Sequence, residues 1–436
     1  MNTTAIKLSN SLNRILLVLP ALLLILAAFF AVRWCFAQSV AEQADVAELA
    51  DFAVSLAPDL SLPHYSHGVV SEKTFTPEAD AEALRAYERA TALSPHDYRL
   101  WFALSRMRDR AGDPDGAEKA IRKAAELAPA YAQIHWTLGN ILLRRGETDE
   151  AFNEIGFAAR QNPRTYSAPA VGMAMQTYGS GNLEDVLRRA GNSPEARAAL
   201  IGFLSKDGKF EQALNIWNGF SDEEKLARKD EGKSLFNSLY EAKRFHLAQA
   251  LYGELPTAES VEKTSIGKIS NPDFESDSIA TPSQPTPFSW LIPDGAEPAI
   301  AFDTSVRHAG TRSLQLAFKT VSGQEFRQIM QTVTVEPGTR YRLSFYARTA
   351  GLKTSATVLW NIEDAADGKI LAASSAVATE DKDWQNLTVD FAAPPKTEAV
   401  NLKLARAACT LSPCALVGRI WFDDFSLQKI DSADKN

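Results

Sequence analysis

Residues 83–95 read Ala-Leu-Arg-Ala-Tyr-Glu-Arg-Ala-Thr-Ala-Leu-Ser-Pro, and the same grammar returns twice downstream. Ala83, Tyr87, Ala90 and Pro95 recur as Ala117, Ile121, Ala124 and Pro129, then as Ala151, Ile155, Ala158 and Pro163, so the prolines stand 34 residues apart. Trp101 and Leu104 precede the second block, while His135, Leu138 and Gly139 precede the third; Gly112 and Gly146 mark a turn inside each. A fixed period of this length, with small residues at set places, is the pattern of stacked helical hairpins. The small Ala lets two antiparallel helices approach, large residues such as Tyr87, Trp101, Leu138 and Ile155 fill the space between hairpins, and the proline stops each second helix.

On these residues the stretch resembles tetratricopeptide repeats. The resemblance implies an all-α solenoid with a concave groove, lined by the first helix of each hairpin, that receives a peptide or protein partner. Arg99, Arg106, Gln133, Asn140 and Arg144 are the groove candidates, being polar residues on first helices; the rival reading is ordinary solvated surface. After Pro163 the pattern degrades over residues 166–190, which hold Pro169, Gly172, Gly179 and Gly181. It returns with Leu200, Leu204, Ala213 and Trp217, and again with Leu235, Leu239, Ala248 and Tyr252, giving a solenoid over 38–258. Residues 38–57 read as an amphipathic helix and 58–76 as a polar loop in which His64 and His67 are solvated rather than metal-binding. Thr76-Pro77-Glu78 starts the helix of the first block, whose partner is not recognisable in the preceding frame; 38–57 is the candidate substitute.

Upstream, residues 15–32 carry no charge, and as a helix they reach about 27 Å, close to the hydrocarbon thickness of a bilayer. Lys7 and Arg14 precede the run, whereas Glu42, Asp45, Glu48 and Asp51 follow it, so the positive-inside bias puts residues 1–14 in the cytoplasm and the remainder outside. A cleaved signal peptide is the rival, with Cys35-Phe36-Ala37 as its site. The chain's style reads as bacterial, which makes this an inner-membrane anchor with the bulk of the protein in the periplasm. A net charge of −8, with no Lys/Arg cluster, argues against nucleic acid as a partner.

From about residue 266 the period changes from 3.6 to 2. Leu314, Leu316 and Phe318 alternate with other residues, as do Tyr341, Leu343 and Phe345; Val358, Trp360 and Ile362; Leu387, Val389 and Phe391; and Val400, Leu402 and Leu404. Asn271-Pro-Asp273-Phe-Glu275, Gly310-Thr-Arg-Ser-Leu314, Tyr341-Arg-Leu-Ser-Phe-Tyr-Ala-Arg348, Trp384 and Ile420-Trp-Phe-Asp-Asp-Phe-Ser-Leu427 together resemble the jelly-roll carbohydrate-binding modules of the xylanase- and glucanase-associated type. The resemblance spans 266–430 and implies an all-β jelly-roll sandwich. It also implies a structural calcium on Asp273, Glu275 and Asp424, against the reading of those acids as turn caps. Sugar contact would fall to Arg327, Gln328, Arg342, Tyr346 and Trp360 on an open sheet face, with Trp384 and Phe422 in the core. Cys409 and Cys414 can close a small loop worth about 2 kcal/mol in an oxidising compartment, or stay two surface thiols.

No nucleophile elbow, phosphate-cradling loop, dinucleotide fingerprint or metal-binding His/Glu spacing occurs. Asp423 and Asp424 are adjacent on a strand and so are expected on opposite faces, which argues against a glycosidase pair. The sequence therefore predicts a multidomain, non-enzymatic chain: a transmembrane helix, an all-α repeat solenoid, then an all-β sandwich. The expected role is an envelope scaffold for polysaccharide synthesis, export or attachment. The alternative is a purely structural interaction protein with no carbohydrate ligand.

Overall fold

Several helices of this chain begin at a capping side chain. The computed structural model describes residues 11–255, 265–276, 287–295, 297–319, 326–409 and 414–430, with side chains from Val18 onward; part of the N-terminal tail lies outside them. Helices α1 (Ser11–Gln43) and α2 (Ala47–Leu56) come first, then α3 (Ser61–Glu72), α4 (Pro77–Leu93), α5 (Tyr98–Arg110), α6 (Pro114–Leu127), α7 (Ala132–Arg144) and α8 (Thr148–Gln161). Thr76, Asp97, Asp113 and Asn162 each accept a backbone N–H in the first turn of the helix they precede. Pro77 and Pro114 open α4 and α6, where a missing N–H costs nothing.

Two expectations change here. Residues 58–76 are not all loop: α3 takes 61–72 of them and is the missing partner of α4, while residues 38–43 belong to α1. The equivalence is visible in side chains. His64 Nε2 donates to Pro58 O (3.0 Å), as Trp101 Nε1 donates to Pro95 O (2.9 Å) and His135 Nε2 to Pro129 O (2.9 Å). Gly68, Ser105 and Gly139 occupy one further position, where the helices of a hairpin cross. A Cβ on Gly68 would stand 2.6 Å from the Tyr87 ring, and one on Gly139 2.6 Å from Ile155. Buried Ser105 donates to Ala117 O instead. This first unit is three residues longer because α4 has 17 residues against 14 in α6 and α8.

Beyond α8 come α9 (Pro163–Tyr178), which contains Pro169, and the short α10 (Leu183–Arg189). Ion pairs repeat with the hairpins: Asp80–Arg110, Asp115–Arg145 and Asp149–Arg189 link successive units. The chain divides into two compact units between Leu200 and Ile201, inside α11 (Pro194–Lys206).

The second unit holds α12 (Phe210–Asn218), α13 (Asp222–Ala227), α14 (Lys229–Glu241), α15 (Phe245–Tyr252) and a nine-stranded sandwich. Its strands are β1 (Ala299–Asp303), β2 (Ser313–Phe318), β3 (Met330–Thr334), β4 (Arg340–Thr354), β5 (Val358–Asp364), β6 (Ile370–Ala373), β7 (Lys382–Ala392), β8 (Ala399–Arg406) and β9 (Leu416–Lys429). One sheet has the order β1-β2-β9-β4-β7 and the other β3-β8-β5-β6, all antiparallel. Alternation sends Leu314, Leu316, Tyr341, Leu343, Phe345, Val400 and Leu402 inward. Between the sheets Trp290, Trp360, Phe345, Phe422 and Phe425 pack ring against ring, with Trp360 meeting Trp290, Phe422 and Phe425 at 5.1–5.6 Å. A disulfide joins Cys409 to Cys414.

The last helical hairpin is bonded to this sandwich. Tyr240 Oη stands 3.1 Å from Thr332 Oγ1, and Thr334 Oγ1 donates to Gln249 Oε1. The His246 amide donates to Glu398 Oε2, while its Nε2 donates to Val335 O. Phe236, Tyr240 and Tyr252 surround Phe288 at 5.9–6.4 Å. Thr332 and Thr334, which alternation turns outward on β3, are consequently buried.

Candidate functional site

Sheet alternation sorts the five expected sugar contacts, and they do not converge. Trp360 is fully buried in the core, so it is no stacking platform. Arg327 turns to the preceding loop, donating to Pro293 O and Pro298 O. Gln328 is exposed ahead of β3 on the side of the four-stranded sheet. Only Arg342 and Tyr346 share a face, the outward side of the five-stranded sheet, and Arg342 is held there by both oxygens of Asp390 (2.7 and 2.8 Å).

That face has aromatic residues the sequence reading missed. His308, from the loop before β2, lies on the Tyr346 ring at 3.6 Å and 17°, and Trp384 of β7 meets its edge at 5.7 Å. Trp384 is thus half-buried on the surface side rather than in the core, whereas Phe422 is core. Asn386 stands opposite Tyr346 in the register, and Arg348 stands opposite Trp421. Trp421 Nε1 and Gln315 Nε2 both donate to Asp303 Oδ2. Burial opposes ionisation of Asp303, yet the Trp421 indole, the Ser305 and Val306 amides and the Arg419 charge hold its carboxyl below the usual range.

A bulge reorganises the two neighbouring aspartates. Between the pairs Ser344–Ser426 and Tyr346–Asp423, one residue of β4 faces two of β9, and Asp424 takes φ +50°. The alternation expected to separate Asp423 from Asp424 is broken, and both reach His308. Asp423 Oδ2 accepts the His308 and Ala309 amides, and Asp424 Oδ2 stands 2.5 Å from His308 Nδ1. Burial pushes the Asp423 carboxyl up to about 6, with the Asp424 charge adding to it and three backbone N–H groups pulling the other way.

The acids expected to hold calcium are engaged separately. Glu275 accepts from the Thr311 hydroxyl and from the Thr311 and Arg312 amides, which hold it low; Asp273 accepts from the Glu275 amide; Asp424 is taken by His308. Among the described residues no three His, Cys, Asp or Glu side chains gather where they could hold a metal ion. The three carboxylates are engaged by different protein donors rather than gathered on one point, so they do not form the calcium set as expected.

The opposite, four-stranded sheet turns Asn361, Glu363, Asn401 and Lys403 outward with no aromatic side chain among them, and α14–α15 covers its β3 edge. In the repeats, the groove arginines are paired: Arg99 with Asp97, Arg106 with Glu72 and Arg144 with Asp109. Glu72 also accepts from the Tyr87 hydroxyl; burial first, then that carboxylate, pushes the phenol up. Gln133 is exposed, and Asn140 donates to Trp136 O within its own helix. Of these contacts, Arg106–Glu72 and Arg144–Asp109 bind repeat to repeat.

Residues 267–407 match the family model of a carbohydrate binding domain, and residues 81–132 and 108–165 match that of the tetratricopeptide repeat. The chain joins tetratricopeptide repeats to a carbohydrate-binding-type domain. Solved structures similar to it include a CBM4 domain (17% identical, covering 37% of this chain and 100% of that one, TM-score 0.28). YrrB, a TPR protein with an unusual peptide-binding site, is 20% identical over 35% of this chain and 79% of its own (TM-score 0.29). MamA from Desulfovibrio magneticus RS-1 is 22% identical over 27% of this chain, which spans 64% of that MamA chain (TM-score 0.25). No curated protein matches the chain. Repeats of this kind suggest protein–protein interaction, and the sandwich's family suggests carbohydrate binding. The helix Val18–Gln43 is long and apolar enough for a membrane span or a signal sequence.

Proposed function

We propose that the protein is a non-catalytic adaptor, anchored in the bacterial inner membrane by α1 with its bulk in the periplasm. Its repeats hold a protein partner, and its sandwich touches glycan during polysaccharide synthesis, export or attachment. The observation that carries the glycan reading is the exposed His308 ring stacked on Tyr346 beside Trp384. Sugars present flat C–H faces that settle on such rings, while Asn386 and Arg348 supply hydrogen bonds beside them. The four-stranded face is the poorer candidate, having no ring to stack on and a helical hairpin along one edge. An oxidising compartment accords with the Cys409–Cys414 bridge.

Retention of the full chain in detergent on a polysaccharide panel tests this reading. His308→Ala with Trp384→Ala should weaken retention by roughly tenfold, about 1.4 kcal/mol of stacking. Asn361→Ala with Lys403→Ala should leave it unchanged. Loss in the second pair alone moves the site to the other sheet, and no retention on any polymer ends the glycan reading. In that case the bonded α14–α15 hairpin favours the second reading, in which the sandwich is a packing module for the last repeat.

A further inference from the structure

We infer that the start of the solenoid is seated in the lipid headgroup layer, through an aromatic surface made by the outer end of α1 and by α2. The inference rests on reading α1 as a membrane span. Arg33 is the first charged residue after the apolar run, so it marks the edge of the hydrocarbon. Its guanidinium donates to Leu56 O at the end of α2, which brings that end down to the same depth. Three residues further along α1, about 4.5 Å higher by helix rise, Phe36 meets Phe52 edge to face at 6.4 Å. Helix α2 therefore runs back alongside α1 toward the membrane.

A headgroup layer is about 5–7 Å deep on each side of the hydrocarbon. Phe36 and Phe52 fall inside it, and Leu49, one turn earlier on α2, falls about 9 Å above Arg33, just beyond it. These side chains are bare: Phe36 is 54% exposed, Phe52 46% and Leu49 41%, while Ala50 and Ala53 on the neighbouring face of α2 are buried against the protein. Trp34, 40% exposed, lies one residue beyond Arg33 and packs on Phe30. A Trp, two Phe and an Arg within about 5 Å of depth form the girdle that amphipathic rings make at a bilayer surface. Water would leave this surface as a continuous apolar patch extending from the span itself. The solenoid is thus held against the bilayer by its first helices instead of swinging on a single tether.

The test places spin labels in the full chain, with Cys35→Ser as background, in nanodiscs of phosphatidylethanolamine and phosphatidylglycerol. Labels go at Phe52→Cys and Leu49→Cys. Leu24→Cys serves as a reference within the span and Leu226→Cys as one in water. The Phe52 label should collide with a nickel chelate several-fold less than the Leu226 label, and Leu49 should fall between them. A Phe52 label as open to nickel as Leu226, with Leu24 shielded, overturns the seating while leaving the anchor intact. A Leu24 label open to nickel overturns the anchor, and the seating with it.

Discussion

The repeats and the sandwich solve one packing problem with opposite side-chain sizes. The two helices of each hairpin cross at Gly68, Ser105 and Gly139, where a Cβ on either glycine would meet the partner helix, and ion pairs join successive hairpins. The sandwich holds its sheets apart with Trp290, Trp360, Phe345, Phe422 and Phe425. The first region is therefore vulnerable to added atoms, the second to removed ones. Trp360→Ala should cost about 3–5 kcal/mol in chemical denaturation, the largest loss of any change considered. Trp360→Phe should cost far less, because among the described residues the indole Nε1 has no partner to lose.

The next largest effect is a pH dependence set by a raised carboxyl in the sandwich, whereas Asp97, Asp115 and Asp185 of the repeats are lowered. Native Asp423, held near 6, keeps a proton that the unfolded chain has already released between about pH 4 and 6. Its contribution to stability is thus fully present below about pH 4 and is lost as pH rises through 6. Asp423→Asn removes that slope, so the stability of the variant relative to the parent should improve from pH 4 to pH 7, by up to about 3 kcal/mol. The low-lying Glu275, Asp303 and Asp390 act in the opposite sense but are common to both proteins, and they cancel in the difference. A flat or reversed difference in melting temperature across that range would show that Asp423 is not held as described.

In the repeats, Gly139→Ala should cost about 1–3 kcal/mol despite alanine's better helix propensity, because the new methyl meets Ile155 and the Ala151 carbonyl. Equilibrium unfolding of the variant checks this, and a gain in stability would contradict the crossing geometry. The smallest effect belongs to the ion-pair ladder. Arg144, more than half exposed, should lose no more than about 0.5 kcal/mol on substitution by Ala.

Legibility in the sequence followed locality. The 34-residue period revealed the second and third hairpins, but α3 stayed hidden because three extra residues in α4 shift its frame to a spacing of 37, seen in Pro58 to Pro95. Strand parity was enough to place Trp360 inside, in phase with Val358 and Ile362. It was also enough to place Trp384 outside, out of phase with Leu387, Val389 and Phe391. Residue type, a tryptophan wanted for stacking or for core, overrode parity in both cases. The bulge at Asp424 gives no sequence signal, since it depends on the partner strand. His308 on Tyr346 and the seating of Tyr240, His246 and Gln249 on β3 join residues 38 to 92 positions apart, which periodicity does not report.

The central structural claim is that the last hairpin, α14–α15, and the sandwich behave as one body. Hydrogen exchange on full-length Tyr240→Ala tests it most directly. The account predicts faster exchange in β3 as well as in α14 and α15, with α7 and α8 unchanged. Acceleration confined to residues 229–252, leaving 330–334 as protected as in the parent, would contradict it.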